Sequence, residues 1–425
     1  RNPEKIIRSQ NGKTQFLKDG HWIDQAGQFL EILREIQQQY HTPKLQGLPH
    51  FTGGLIGFLG YESIVWVEDV PIYNEDELVL PDSEFMLYED LIVFDHLKNE
   101  IILFSNVSIN QDINLKSSYQ KAMERIDIMG KDLHTDIDYQ TPQQFSNFET
   151  VSNFNTDEFT KSVKKAKEYI KAGDIFQLVL SQRFKRKTHA EPDTLYRALR
   201  TINPSPYMFH LKLKDCDIIG ASPELLVKVE DDEIEIRPIA GTRPRGKDPE
   251  EDKILAEDLL NDKKECAEHL MLVDLGRNDV GRAAEFDSVY VPEFMKVEYY
   301  SHVMHIVSDV RGKLRNDTDV IDALYSGFPA GTLTGAPKIR AMEIIHELEP
   351  NRRGIYSGAI GYFDFSLDMN TCIAIRTLVM KDGTVYFQSG AGVVYDSDPK
   401  KEFEETINKA KAINKAIDLA ENGLV

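Results

Sequence analysis

Apolar residues recur at helical spacing in two strongly patterned stretches. Phe159, Val163, Ala166 and Ile170 share one face of a helix expected over 155–172, which Gly173 ends. Phe403, Ile407, Ala410, Ile413 and Ile417 form the stripe of a second helix, opened by Asp398 and by Pro399 at its first position. Further helices are expected over 28–40, 115–132 and from Ile339 onward. Another covers 262–275, where Leu270 to Val273 are apolar all the way round and predict a buried segment that stops at Gly276.

Shorter apolar runs read as strands: 85–95 and 100–107, a hairpin around Lys98-Asn99, then 176–184, 207–213, 217–220, 225–229, 234–238, 372–380 and 384–388. The glycine-rich segment 51–61 reads as a close-packed strand pair rather than a phosphate loop, and the rest of 1–50 is polar and mixed. Residues 134–152 lack periodicity and read as a linker. Many strands with segregated helices predict an α+β sandwich, not an alternating α/β chain.

The polar positions add chemistry. Glu265 and Glu268 stand three apart on one helix, and Glu402 and Glu405 stand three apart on another. Taken singly, such a pair is what a solvated helix face shows. Two pairs beside buried segments are costly without a cation, and four carboxylates suit a hard one such as magnesium. Arg277, Asn278 and Asp279 are expected to form a polar cluster after the Gly276 stop. Three glycine-rich loops, at 238–246, 327–338 and 389–392, let backbone amides approach an anion. Together these features predict a site for a multiply anionic small molecule held partly through a metal.

Composition narrows the partners. The 425 residues carry a formal net charge of −20 and are 41% hydrophobic, enough for a large core in two or three domains. The acidic balance argues against nucleic acid and anionic membrane. Cys216, Cys266 and Cys372 are far apart and without a CxxC, so neither a disulfide framework nor a zinc site is expected, and reduced cytoplasmic thiols fit. No apolar run is long enough to span a bilayer, and the opening Arg1-Asn-Pro-Glu-Lys lacks a signal-peptide core. The missing initiator Met predicts a truncated or processed start.

Long motifs then carry a resemblance. Asp174-Ile-Phe-Gln-Leu-Val-Leu-Ser, Gly220-Ala-Ser-Pro-Glu-Leu-Leu, Pro238-Ile-Ala-Gly-Thr-Arg-Pro-Arg-Gly, Glu268-His-Leu-Met-Leu-Val-Asp-Leu-Gly-Arg-Asn-Asp, Gly331-Thr-Leu-Thr-Gly-Ala-Pro-Lys and Ser389-Gly-Ala-Gly resemble the chorismate-utilising enzymes, nearest the anthranilate synthase large-subunit (component I) branch. The resemblance runs from about Phe51 to the end and is densest over 154–416. It implies a layered helix–sheet–sheet–helix fold, with an N-terminal region over 1–145 and a chorismate-binding catalytic domain over 153–421.

It also implies roles. Glu268 and Glu405 would ligate Mg2+ directly, with Glu265 and Glu402 as second ligands, and the metal would hold the ring carboxylate of chorismate. His305 would serve the pyruvate-elimination half, and Glu224 would protonate the departing C4 hydroxyl. Arg376 and Tyr356 would bind the enolpyruvyl carboxylate, and an Arg within an apolar strand needs an anion in any case. Ala240, Gly241, Thr242, Thr332, Gly390, Ala391 and Gly392 would surround the substrate; Lys338 is left unassigned. Gln177 stands where water-using relatives carry a base Lys, and Ala240 where many aminodeoxychorismate synthases carry a nucleophilic Lys.

The expected reaction is chorismate plus ammonia to anthranilate and pyruvate, with ammonia from a glutamine amidotransferase small subunit (component II), since no glutaminase Cys-His site is visible. Aminodeoxychorismate synthase, isochorismate or salicylate synthase, and an inactive chorismate-binding scaffold are the alternatives. A tryptophan effector is expected at Asn203, Pro204, Ser205, Pro206, Tyr207 and Met208. Because no Leu-Leu-Glu-Ser segment is found near the start, its inhibition is expected to be weak or absent.

Overall fold

Where the sequence pattern showed only a polar mixture, the chain begins with three antiparallel strands, Lys5–Gln10, Lys13–Lys18 and His21–Gln25. Two tight turns make them: Asn11-Gly12 and Asp19-Gly20 all have positive φ, as a two-residue type I′ hairpin requires. The computed structural model describes residues 2–72, 74–109, 113–136, 148–300 and 303–424. It divides into two units, one drawn from 1–59, 80–141 and 360–370, the other from 60–79, 142–359 and 371–425.

The first unit continues from that meander. Ser83–Tyr88 pairs antiparallel with Lys5–Gln10 and with Gly54–Leu59. The glycine-rich segment is therefore one strand followed by a 3-10 turn at Tyr61–Trp66, not the strand pair expected. Its glycines allow close approach: a Cβ on Gly54 would lie 2.2 Å from the Phe363 carbonyl oxygen. The 85–95 run is divided between Ser83–Tyr88 and Asp90–Asp95, and the latter forms the expected hairpin with Glu100–Ser105. Helix Leu115–Asp132 lies against that hairpin, with Arg125 donating to Asp90 and to the Asn106 carbonyl. Residues 137–147 of the expected linker lie outside the described residues.

The second unit is layered helix–sheet–sheet–helix. One sheet runs in the order Tyr207–Lys212, Asp217–Ser222, Thr377–Lys381, Thr384–Val393, Gln177–Lys187, Gly335–Ala336. Its outer face is covered by helices Thr156–Ala172, Pro192–Ile202, Lys338–Leu348 and Pro399–Glu421. The expected stripes do the covering. Phe159, Val163 and Ala166 pack on Leu178 and Leu180, while Ile413 and Ile417 pack near Ile219, Leu378 and Val385. Each such fully buried large side chain stabilises by about 1.5–3 kcal/mol. In the other sheet of this unit, Ile239–Pro244, Val303–Lys313, Glu233–Ile236 and Leu225–Glu230 are successive neighbours, and Tyr290–Tyr299 also pairs with Val303–Lys313. Helices Pro249–Asn261, Lys263–Ala283 and Val320–Gly327 pack on it.

Two expectations are corrected here. The 262–275 helix does not stop at Gly276 but runs as Lys263–Ala283. Gly276 is buried there, with Pro238 only 3.3 Å from where its Cβ would stand, so its smallness serves packing and not a cap. The helix is also amphipathic rather than buried all round, since Leu270 is 45% exposed while Leu272 and Val273 are buried. The expected 372–380 strand is two strands, Met369–Ile373 and Thr377–Lys381. Arg376, at φ 50°, sits in the break, in a left-handed conformation far from that of a regular strand.

Candidate active site

Between the layers of the second unit lies a cavity of about 540 Å³. Local backbone geometry places its histidine. Strands Ile239–Pro244 and Val303–Lys313 lose register between Ala240 and Thr242, and the bulged residue is Gly241 at φ 68°. The bulge turns the Gly241 carbonyl onto His305, whose Nδ1 lies 2.9 Å from it and 3.1 Å from Thr242 Oγ1. A ring nitrogen facing a carbonyl must carry the proton, so Nε2 is the free acceptor. Burial pushes the His305 pKa down against the opposing bond to Gly241, with Arg376 adding to the lowering, so the ring is neutral and Nε2 can accept a proton. Tyr300 closes one side, its ring 5.5 Å from the imidazole. His302, three residues before His305, lies outside the described residues.

Glu224 lines the same cavity. It follows strand Asp217–Ser222 and accepts from Thr332 Oγ1 at 3.0 Å. Burial raises its pKa to about 7, against the lowering effects of the Thr332 bond and of Arg376. A carboxyl poised there can hold a proton at neutral pH and release it to a leaving oxygen. Arg376 reaches the cavity from the break between strands and donates to Asn203 Oδ1 at 3.2 Å.

The Glu pairs divide. Glu268 and Glu405 line the cavity, whereas Glu265 and Glu402 do not. The Glu268 pKa is raised by burial first, then by Glu265, with Glu405 adding; that of Glu402 is raised by burial first and then by Glu405. Glu268 and Glu402, on separate helices, thus each sit beside other carboxylates, with Lys264 and Lys409 opposing the rise. Among the described residues no three metal-ligating side chains stand together closely enough to hold a metal ion. Their chemistry still fits a hard cation, because mutual repulsion in a half-buried place is what such a charge relieves. A cation of the protein's own already leans on them: the Lys409 ammonium lies 2.8 Å from Glu405 and donates to the Gly390 carbonyl at 2.9 Å.

Most other expected residues also meet at this cavity. Gln177, Ala240, Thr242, Thr332, Tyr356, Gly390 and Gly392 all line it. Ala391 is fully buried and does not, because successive strand residues face opposite ways and Gly390 and Gly392 take the cavity side. Gly241 contributes its carbonyl to His305 rather than a face to the cavity. Of the 203–208 turn only Asn203 reaches the wall; Pro204 to Met208 do not line it.

Among the polar lining residues, Tyr300, Gln388, Asn408 and Lys409 escaped the sequence reading. Lys409 had a signal, standing one helical turn after Glu405. The polar cluster expected at 277–279 does not form, for Arg277 and Asn278 are exposed while Asp279 is buried. Asp279 instead pairs at 2.9 Å with Lys338, whose side chain is 9% exposed and which also donates to the Gly327 carbonyl. That pair ties the 327–338 loop to the 263–283 helix.

The chain matches the chorismate binding enzyme family over residues 1–415. It is 46% identical over 429 residues to anthranilate synthase component 1 of Acetivibrio thermocellus, covering 99% of this chain and 86% of that one. It is 48% identical over 398 residues to anthranilate synthase component 1 of Aquifex aeolicus, covering 92% and 80%. Among solved structures, that of anthranilate synthase component I from Streptococcus pneumoniae superposes with a TM-score of 0.86 at 39% identity, covering 97% of this chain and 90% of the other.

Proposed function

The chain belongs to the chorismate binding enzyme family, and from that premise we propose its reaction: chorismate and ammonia give anthranilate, pyruvate and water, the first step of tryptophan biosynthesis. Relatives at 46% and 48% identity over nearly the whole chain support the assignment. The observation that carries it against the alternatives is the cavity wall itself. Gln177 and Ala240 both line it. An amide there cannot act as the base that a water nucleophile needs, and a methyl cannot form a covalent ring intermediate. Ammonia, nucleophilic when neutral, needs neither.

The residues then take balanced roles. Ammonia adds at C2 of the ring as the C4–O bond breaks, and Glu224 delivers its proton so that the C4 oxygen leaves as water. His305 Nε2 next takes the C2 proton, the ring becomes aromatic, and the C3–O bond to the enolpyruvyl group breaks. The released enolate takes the proton from His305 at carbon and ends as pyruvate, and the ammonium formed at C2 returns its surplus proton to Glu224. Arg376 and Tyr356 hold the enolpyruvyl carboxylate, Thr332 keeps Glu224 aimed, and the backbone at Gly390 and Gly392 permits close approach of the ring. Glu268 and Glu405, backed by Glu265 and Glu402, would hold Mg2+, which supplies a positive charge for the ring carboxylate.

The nitrogen comes from a glutamine amidotransferase partner, component II. Purified alone, this chain is expected to turn over with ammonium and to ignore glutamine, and to gain glutamine-dependent activity on addition of that partner. Steady glutamine-dependent product from the single chain would contradict the assignment. Tryptophan is proposed as an effector at Asn203–Met208, supported by the bond from Arg376 to Asn203, which joins that turn to the cavity. No helix among the described residues is long and apolar enough to cross a membrane; a cytoplasmic location belongs to the proposal.

A further inference from the structure

Beneath the cavity lies a buried charge that no role above uses. Arg353 is 3% exposed, and all five of its guanidinium N–H groups find acceptors. Nε and Nη2 grip the two oxygens of Glu349 at 2.9 and 2.6 Å. Nη2 also donates to the Val179 carbonyl at 2.8 Å, and Nη1 to the Leu333 carbonyl at 2.7 Å and to Ser357 Oγ at 3.2 Å. These acceptors belong to three separate segments, and each segment contributes to the cavity wall: Val179 on one strand, Thr332 and Leu333 on the 3-10 turn, and Tyr356 beside Ser357. Glu349 extends the grip to a fourth, because Ser181 donates to it at 2.7 Å and Gln388 donates to Ser181 at 2.7 Å.

Ser357 is the unusual link. It is fully buried and holds φ 64°, a left-handed backbone that residues with a Cβ rarely adopt. Glycine would occupy that conformation without strain, so a serine there implies a use for its hydroxyl. The hydroxyl accepts from Arg353, and the Tyr356 side chain belongs to the residue just before it. The phenol oxygen stands 3.0 Å from where a Cβ on Gly390 would be, so it is held at the glycine face of the cavity. The Arg353 guanidinium also lies 5.6 Å from the centre of the Tyr356 ring.

We propose that Arg353 is a positioning residue for the chorismate site, holding the Tyr356–Ser357 segment through the Ser357 hydroxyl and the Thr332–Leu333 turn through the Leu333 carbonyl. The inference rests on the reading of Tyr356 as a residue that binds the substrate carboxylate. It predicts that Ser357→Gly, which relieves the backbone and removes the hydroxyl, raises KM for chorismate about 3- to 10-fold, the effect of one lost hydrogen bond. The same variant should unfold at a temperature no lower than Ser357→Ala, which keeps the strain. A purely structural Ser357 would instead lower stability and leave KM alone.

The deciding experiment is a double-mutant cycle on KM with Tyr356→Phe. Tyr356→Phe alone should raise KM by a similar factor, and adding Ser357→Gly to it should change KM no further. Multiplying effects would overturn the relay, as would an unchanged KM in Ser357→Gly beside a raised one in Tyr356→Phe. An unchanged KM in Tyr356→Phe would mark the failure at the reading of Tyr356 itself, and the relay would fall with it. Arg353→Lys, which keeps the charge but loses the fork, should raise KM at least as much as Ser357→Gly; if it does not fold, the cycle at 356 and 357 still decides.

Discussion

Glu224→Gln is expected to lower kcat by roughly 10²–10⁴-fold with chorismate binding largely intact, the range that loss of a general acid produces. The glutamine fills the same space and can still meet Thr332, but it has no proton to give a leaving oxygen. The pH dependence follows from the same burial. The acid role needs the protonated carboxyl, and the Glu224 pKa lies at about 7. This limb of the kcat/KM profile should therefore fall as pH rises through about 7, and the variant should lack it. Stability should fall over the same range. A carboxyl whose folded pKa is raised contributes most below its unfolded value near 4.5 and loses that contribution as pH rises through about 7. Above that pH, Glu224→Gln should unfold no more easily than the unaltered chain. A variant that stays active, or keeps the alkaline limb, would remove Glu224 from the mechanism.

Glu268→Gln and Glu405→Gln should each cut activity by at least about 100-fold at ordinary Mg2+ and raise the Mg2+ concentration needed for half-maximal rate. Both carboxylates line the cavity, and burial together with Glu265 holds the Glu268 pKa up. Replacing a carboxylate by an amide removes charge from a place where like charges repel, so the folded protein should lose nothing in stability. Metal binding followed by calorimetry separates the two effects: weakened Mg2+ binding in a protein of unchanged melting temperature is the expected pattern. Full turnover in excess chelator, by either variant or by the unaltered chain, would rule the metal role out.

The sequence displayed the helices best. The 155–172 and 399–421 stripes, the Gly173 stop and the Asp398 cap all appear in place, because each signal is local and agrees with the packing above it. Local signals failed where tertiary contacts decide. Gly276 looked like a stop, yet it is smallness demanded by Pro238 on a neighbouring segment. Arg376 looked like a strand residue because its neighbours are apolar, yet its left-handed backbone breaks the strand and aims it at the cavity. The Asn11-Gly12 and Asp19-Gly20 turns were readable, and the alternation of short strands around them was obscured by polar residues on both faces.

For the site, the residues with a motif were legible and those without one were not. Glu224, His305, Thr332 and Gln177 meet at one cavity as the motifs implied. Tyr300 carries no pattern of its own and becomes visible only when distant strands converge, whereas Lys409 was readable from its spacing to Glu405. Arg353 and Ser357 are further removed, since their effect depends on which carbonyls and hydroxyls the fold brings within reach.

The most direct measurement is a single incubation of the purified chain with chorismate, Mg2+ and ammonium, with products identified by mass and pyruvate counted separately. The account predicts anthranilate and pyruvate in equal amounts. Isochorismate, or an amino-containing ring that still bears its enolpyruvyl group as the end product, would contradict it.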